Sequence, residues 1–241
     1  MDLFPVFAQS VLDFLRTART SDKDIEPIYR MQALLQKWIR PKHVNTAISL
    51  HKLAHLLQDK GNYDSAEPLF RTCLEIVEKK LGTEHLRTAS YCGCLANLLS
   101  DKGDYDSAEP LYRRALAISE QVSAQHPSTA TSLNNLAGLL NHKGDYDSAE
   151  PLCRRALAIS EQVLGAQHPD TANSLHNLAH LLQNKGDYDD AEPLFHTSLE
   201  IVEKKLGMEH PKTTEYRNCL ANFFKAKGSY DTTPKQNTKA R

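Results

Sequence analysis

The sequence predicts an all-α solenoid of antiparallel helix pairs, and three observations carry that prediction. The block Lys143-Gly144-Asp145-Tyr146-Asp147-Ser148-Ala149-Glu150-Pro151-Leu152 has near-copies from Lys60, Lys102 and Lys185, so that Gly61, Gly103, Gly144 and Gly186 stand 42, 41 and 42 residues apart. A frayed fifth copy at Gly228 is 42 further on. Between the blocks, apolar residues follow the helical period. A fixed repeat of this length implies stacked supersecondary units, each unable to bury its apolar face without neighbours. Function is then expected on an extended surface, not in one catalytic pocket.

Residues 127–167 serve as the template. Leu133, Leu136, Ala137 and Leu140 fall at i, i+3, i+4, i+7, with Leu139 widening the stripe, which defines a first helix A. Gly144 suits its left-handed end. Asp147-Ser148-Ala149-Glu150 has the form of a capping box, with Asp147 accepting from first-turn amides and Glu150 reaching back. Pro151 is expected in the first turn of the resulting helix B, which Leu152, Ala156, Leu157, Ile159 and Val163 carry forward to Gly165. His168-Pro169 opens the next helix A, because proline costs least at the first helical position. Equivalent boxes stand at Asp64/Glu67, Asp106/Glu109 and Asp189/Glu192. Val122-Ser123-Ala124-Gln125 is one residue shorter than its sisters, which predicts a tighter loop and a changed rotation there.

The expected organisation is a helical cap over 1–42, repeats at 43–84, 85–125, 126–167 and 168–209, a capping helix at 210–228 and a disordered tail at 229–241. Residues 25–35 echo the start of helix B and, with the apolar helix around Phe7, Val11 and Leu15, read as a degenerate repeat. No sustained heptad pattern runs through residues 1–42.

Balanced charge, 29 Lys+Arg against 30 Asp+Glu for a net of −1, argues against nucleic acid or an anionic membrane as partner. The five cysteines form no CxxC pair and mostly replace small or apolar residues of sister repeats, so they read as reduced thiols, with Cys92 and Cys94 as packing plus one exposed thiol. The first residues make a poor secretory leader, and no apolar run spans a membrane, which makes the cytoplasm the expected location.

The motif Leu133-x2-Leu136-Ala137-x2-Leu140…Gly144-x-Tyr146-x2-Ala149-x3-Cys153-x2-Ala156 resembles the tetratricopeptide (TPR) pattern. Phe70, Tyr112 and Phe195 fill the aromatic slot that Cys153 leaves. The longer unit, with Ala-Glu-Pro-Leu-Cys-Arg-Arg-Ala-Leu and an LGxxHP connector, is similar to kinesin light chains and nephrocystin-3-like arrays. This resemblance implies a right-handed superhelix whose concave groove is lined by one arc of the A helices. On that arc stand His51 and His55, Gly93 and Asn97, Asn134 with Asn135 and Gly138, His176 with Asn177 and His180, then Asn218 and Asn222. Helical periodicity points this arc away from helix B. By the resemblance it holds an extended peptide, whose backbone Asn suits because it both donates and accepts. The Lys and Arg of carboxylate-clamp TPR domains are missing from these positions. The groove is neutral, with histidines expected to charge below roughly pH 6.5 and so to favour an acidic peptide.

Metal binding is not expected. Each His-x3-His pair offers two ligands where zinc takes at least three from protein, and three repeat steps of about 8–10 Å keep the pairs roughly 25–30 Å apart. The connector residues His85, His126, His168 and His210 recur once per unit, which is what a structural role predicts and an active site does not. The predicted function is a non-enzymatic adaptor without cofactor that holds a partner protein's peptide or helix. The competing reading is a sensor or spacer arm of a larger assembly, with no groove ligand.

Overall fold

The computed structural model describes residues 29–30 and 43–231. Over 43–231 the chain forms α1 (Val44–Asp59), α2 (Tyr63–Leu81), α3 (Leu86–Asp101), α4 (Tyr105–Val122), α5 (Pro127–His142), α6 (Tyr146–Leu164), α7 (Pro169–Lys185), α8 (Tyr188–Leu206) and α9 (Pro211–Asp231), and no strand occurs among the described residues. Odd-numbered helices are the predicted A helices and even-numbered ones the B helices. Each of α1, α3, α5 and α7 packs on the B helix after it, which makes the all-α repeat fold the sequence predicts. Contacts divide the chain into two compact units that meet in sequence at Val122 and Ser123. In the first, α2 also packs on α3; in the second, α6 packs on α7 and α8 on α9.

The predicted apolar stripe is the core. Leu133, Leu136, Ala137, Leu139 and Leu140 are all buried in the second unit, as are Phe70, Val77 and Leu95 in the first. Helix B is less apolar inside than expected. Val163 is 43% exposed, whereas Ser160 is buried and its hydroxyl lies 3.2 Å from that of Ser174. Burying a hydroxyl is tolerable because it is paired.

Each turn has one device at its end and another at its start. Gly186 takes φ +91° and ψ 5°, the left-handed cap of α7, and Gly165 takes φ +90° and ψ 155°, a region open essentially to glycine alone. A Cβ at either meets nothing within 4 Å, so backbone conformation, not crowding, selects glycine. Each connector histidine is an N-cap whose Nδ1 accepts from the amide two residues on: His43 from Asn45, His85 from Arg87, His126 from Ser128, His168 from Asp170, His210 from Lys212. This is the structural role that once-per-unit repetition implied. Pro127, Pro169 and Pro211 are the first residues of their helices.

A latch the sequence did not reveal closes each connector. Thr88, Thr129, Thr171 and Thr213 are fully buried, and their hydroxyls donate to the carbonyls of Gly82, Ser123, Gly165 and Gly207 at 2.7–2.8 Å. The short repeat keeps this latch. Its connector is four residues long, as in the other repeats. The missing residue comes out of α4, which has 18 residues against 19 in α2, α6 and α8, so the expected tighter loop is not formed.

The predicted capping boxes need correction. The N-cap of α6 is Asp145, whose Oδ1 accepts from Ser148 N at 3.2 Å, with Asn62 and Asp104 doing the same for α2 and α4. Asp187 caps α8 without a side-chain bond. The helices thus start two residues early, and Pro151 lies in the second turn, where it deprives Asp147 of an i→i−4 partner. Glu150 does not reach back. It accepts from Arg154 Nε at 2.9 Å and, on its other oxygen, from Lys185 Nζ at 2.7 Å, a residue of the next A helix. Lys102 grips Asp64 and Glu67 in the same way, and Lys227 grips Asp189 and Glu192. The expected stop at Gly228 is not used: α9 runs on to Asp231. The predicted cap over 1–42 lies outside the described residues apart from Tyr29 and Arg30, which are helical, and so does the tail beyond Asp231.

Candidate functional site

Of the predicted arc, Asn134, Asn135, His176 and Asn177 come together in the second unit around a cavity of about 260 Å³. Helices α5 and α7 form two of its walls, and Lys212, Glu215 and Tyr216 at the start of α9 form a third. A neighbouring cavity of about 300 Å³ is lined by Gly138, Asn141, Asn177, His180 and Asn184, so Asn177 stands between the two. Asn218 and Asn222, on α9, are exposed and line neither.

Side-chain hydrogen bonds fix this wall. Asn134 Nδ2 donates to Ser174 Oγ at 2.9 Å, which fixes the orientation of the amide. Its Oδ1 is buried and has no partner in the protein, and the same holds for His176 Nδ1. Tyr216 stacks flat on His176, ring centroids 3.8 Å apart and 2° from parallel, while its hydroxyl donates to Asn173 Oδ1 at 2.6 Å. The site therefore holds an unpaired buried acceptor on a rigid support beside a rim that carries Lys212 and Glu215. Unpaired buried polar atoms are costly, so they mark positions where a ligand's donor is favoured.

The histidines do not sit as the periodicity placed them. They lean over the aromatic residue of helix B, with His51 and His55 edge-on to Phe70 at 5.6 and 5.0 Å, and His176 and His180 edge-on to Phe195 at 5.5 and 5.0 Å. Positions 51 and 176 border the apolar stripe, and the aromatic slot draws them inward. Asn97 also turns to helix B, where Tyr112 OH donates to its Oδ1 at 2.5 Å. The predicted charging near pH 6.5 is overturned by this packing. Desolvation first, and then the adjacent histidine, pull His51 down to about 4 and His176 to about 3, and burial also lowers His55 and His180. Burial thus favours the neutral form of all four imidazoles.

The structure also supplies what the metal argument lacked. Neither Cys92 nor Cys94 is the exposed thiol expected of the pair: Cys92 is buried and Cys94 half-buried, its Sγ 3.2 Å from His51 Nε2, and His55 Nε2 is 3.1 Å from His51 Nε2. In the second unit His176 and His180 repeat the 3.1 Å contact, with Cys219 beside them. Every one of the five cysteines is a free thiol, and burial raises Cys73, Cys92, Cys94 and Cys153 to about 11–12. The third partner was hidden in the sequence because it stands 43 residues on, one position past the repeat period, on the next A helix.

Among the described residues no helix is long and apolar enough to cross a membrane. Models of the tetratricopeptide repeat match residues 45–121, 90–140, 128–183 and 171–212. No curated protein sequence matches. Two structures of the nearly identical TPR-like repeats of a Podosopora anserina kinesin light chain are similar, at 24% and 25% identity and TM-scores of 0.67 and 0.64, over 86% and 85% of this chain and 99% of each of those. BtubC (BKLC) from P. vanneervenii is 23% identical with a TM-score of 0.68, over 88% of this chain and 87% of that one. A Rap protein complexed with competence and sporulation factor is 16% identical with a TM-score of 0.63, over 95% of this chain and 68% of its own length. These likenesses are likenesses of fold. With repeat models covering residues 45–212 and helix pairs built as described, the chain belongs to the tetratricopeptide repeat family.

Proposed function

We propose that this protein is a non-catalytic interaction scaffold that holds an extended segment of a partner protein against the asparagine wall of α5 and α7. The observation that supports it most is Asn134 Oδ1, a buried acceptor with no partner, held by the bond from Asn134 to Ser174 at the edge of a cavity that Asn135 and Asn177 also line. Peptide backbone offers donors and acceptors at regular spacing, and a row of amides meets both without demanding a particular side chain. The rim sets a modest preference. Lys212 and Glu215 stand there together, which favours a segment of mixed charge over a strongly acidic or basic one. Kinship of fold with a Rap protein solved with competence and sporulation factor is consistent with a ligand-holding role.

The test is selection from a random peptide display library on the intact chain, followed by binding of the selected peptides to the Asn134→Ala, Asn177→Ala double variant. His176 is left alone because it is only 7% exposed and its loss would open the core. The expected result is enrichment of binders that lose at least tenfold in affinity on the double variant while its thermal unfolding is unchanged. Binders indifferent to both substitutions would reject the reading.

A further inference from the structure

The geometry points to two zinc sites built into the array, one held by His51, His55 and Cys94 and the other by His176, His180 and Cys219. In each set the three ligand atoms lie within 4.8 Å of one another. With bonds of about 2.05 Å to nitrogen and 2.3 Å to sulfur, a tetrahedral ion spaces its ligands about 3.4 Å (N···N) and 3.6 Å (N···S) apart. The observed 3.1 Å between imidazole nitrogens and 3.2 Å from His51 to Cys94 need only a few tenths of an ångström of opening. Two imidazoles and one thiolate are a donor set zinc accepts, and three protein ligands leave a fourth position for water. Phe70 and Tyr91 wall the first set, Phe195 and Tyr216 the second.

The chain carries its own control. In repeat register, the two intervening sets read Gly93, Asn97 and Asn135, and Asn134, Gly138 and Asn177, without a histidine or a cysteine. The aromatic wall changes with them: Tyr91 and Tyr216 correspond to Ser132 and Ser174. The ligands and the tyrosine side of their wall thus occur together or not at all, while the helix B slot keeps an aromatic ring at Tyr112 without them. Packing alone explains a His-His contact, but does not require a thiol one position beyond the period each time the pair occurs.

A bound ion would join α1 to α3 and α7 to α9, pinning successive A helices that otherwise meet mainly through the B helix between them. The second site also touches both cavities, since His176 lines one and His180 the other. Binding to the folded state alone raises its stability by mass action.

The experiment uses the tag-free full chain, reduced and stripped of metal, titrated with Co²⁺ and then with Zn²⁺ against a chromophoric chelator of micromolar affinity. Expected are two equivalents per chain, visible bands of tetrahedral cobalt with near-ultraviolet thiolate charge transfer, and a rise in Tm on adding zinc. Cys94→Asn and Cys219→Asn, which install the residue found at the sister positions, each remove one equivalent, and together remove both with helix content unchanged. Failure to compete with the chelator, cobalt spectra without the thiolate band, or a stoichiometry indifferent to the two substitutions would overturn the assignment.

Discussion

Lys185, at the end of α7, donates to Glu150 of α6 at 2.7 Å, and both side chains are about three-quarters shielded from solvent. The contact recurs two repeats earlier as Lys102 to Glu67 and one later as Lys227 to Glu192, at 2.8 Å each. It ties the start of one B helix to the end of the next A helix. A double-mutant cycle of Lys185→Met and Glu150→Gln is expected to show favourable coupling between the two side chains. Urea denaturation of the four proteins measures it, and a coupling near zero would mean the repeats are not held this way.

The capping register gives a sharp contrast between two aspartates two residues apart. Asp145→Ala removes the acceptor that caps α6 and is expected to cost about 1 kcal/mol. Asp147, whose side chain is 97% exposed and 3.6 Å from Lys185, is expected to cost under about 0.5 kcal/mol when replaced by alanine. Chemical denaturation ranks them, and the reverse order would restore the register read from the sequence.

Acid should loosen the array through the same carboxylates. Hydrogen bonds from Lys185 and then Arg154 hold Glu150 below its ordinary 4.5, and Lys102 and Arg71 do so for Glu67. A carboxyl depressed in the folded state favours folding above that ordinary value, and the benefit disappears as pH falls below it and through the folded pKa, because the unfolded chain takes up protons first. Stability measured by urea at pH 6, 5, 4 and 3 should therefore drop on the acid side, and Glu67→Gln with Glu150→Gln should flatten the drop. An equally steep fall in the double variant would place the acid sensitivity elsewhere.

The threonine latch should respond to its hydroxyl and not to its shape. Thr171→Val keeps the volume but removes the 2.8 Å bond to the Gly165 carbonyl, for an expected loss of about 1 kcal/mol, whereas Thr171→Ser retains the donor and should lose less. Thermal unfolding of the pair separates hydrogen bonding from packing. A valine variant as stable as the parent would remove the latch from the account.

Legibility in the sequence followed range. The period, the apolar stripe of α5, the glycine stops and the opening prolines were readable because each depends on residues within a turn or two. Asp147 and Glu150 were misread because a spacing of three fits a capping box locally, while the lysine that claims them lies 35 to 38 residues away. Helical periodicity pointed the arc carrying His51 and His176 away from helix B, but these histidines lie against the large Phe70 and Phe195, and no helical wheel holds that information. Cys94 and Cys219 joined them only through the register between A helices. Asn134, Asn135 and Asn177 line one cavity wall of the second unit.

The central claim is that a partner's backbone is met by the amides of α5 and α7. Side-chain amide resonances of Asn134 and Asn177, followed by NMR while a selected peptide is added, test it most directly. Saturable shifts of both signals, together with amides along α5 and α7, are the predicted result. Shifts confined to other helices, with both asparagine signals unmoved at saturation, would contradict it.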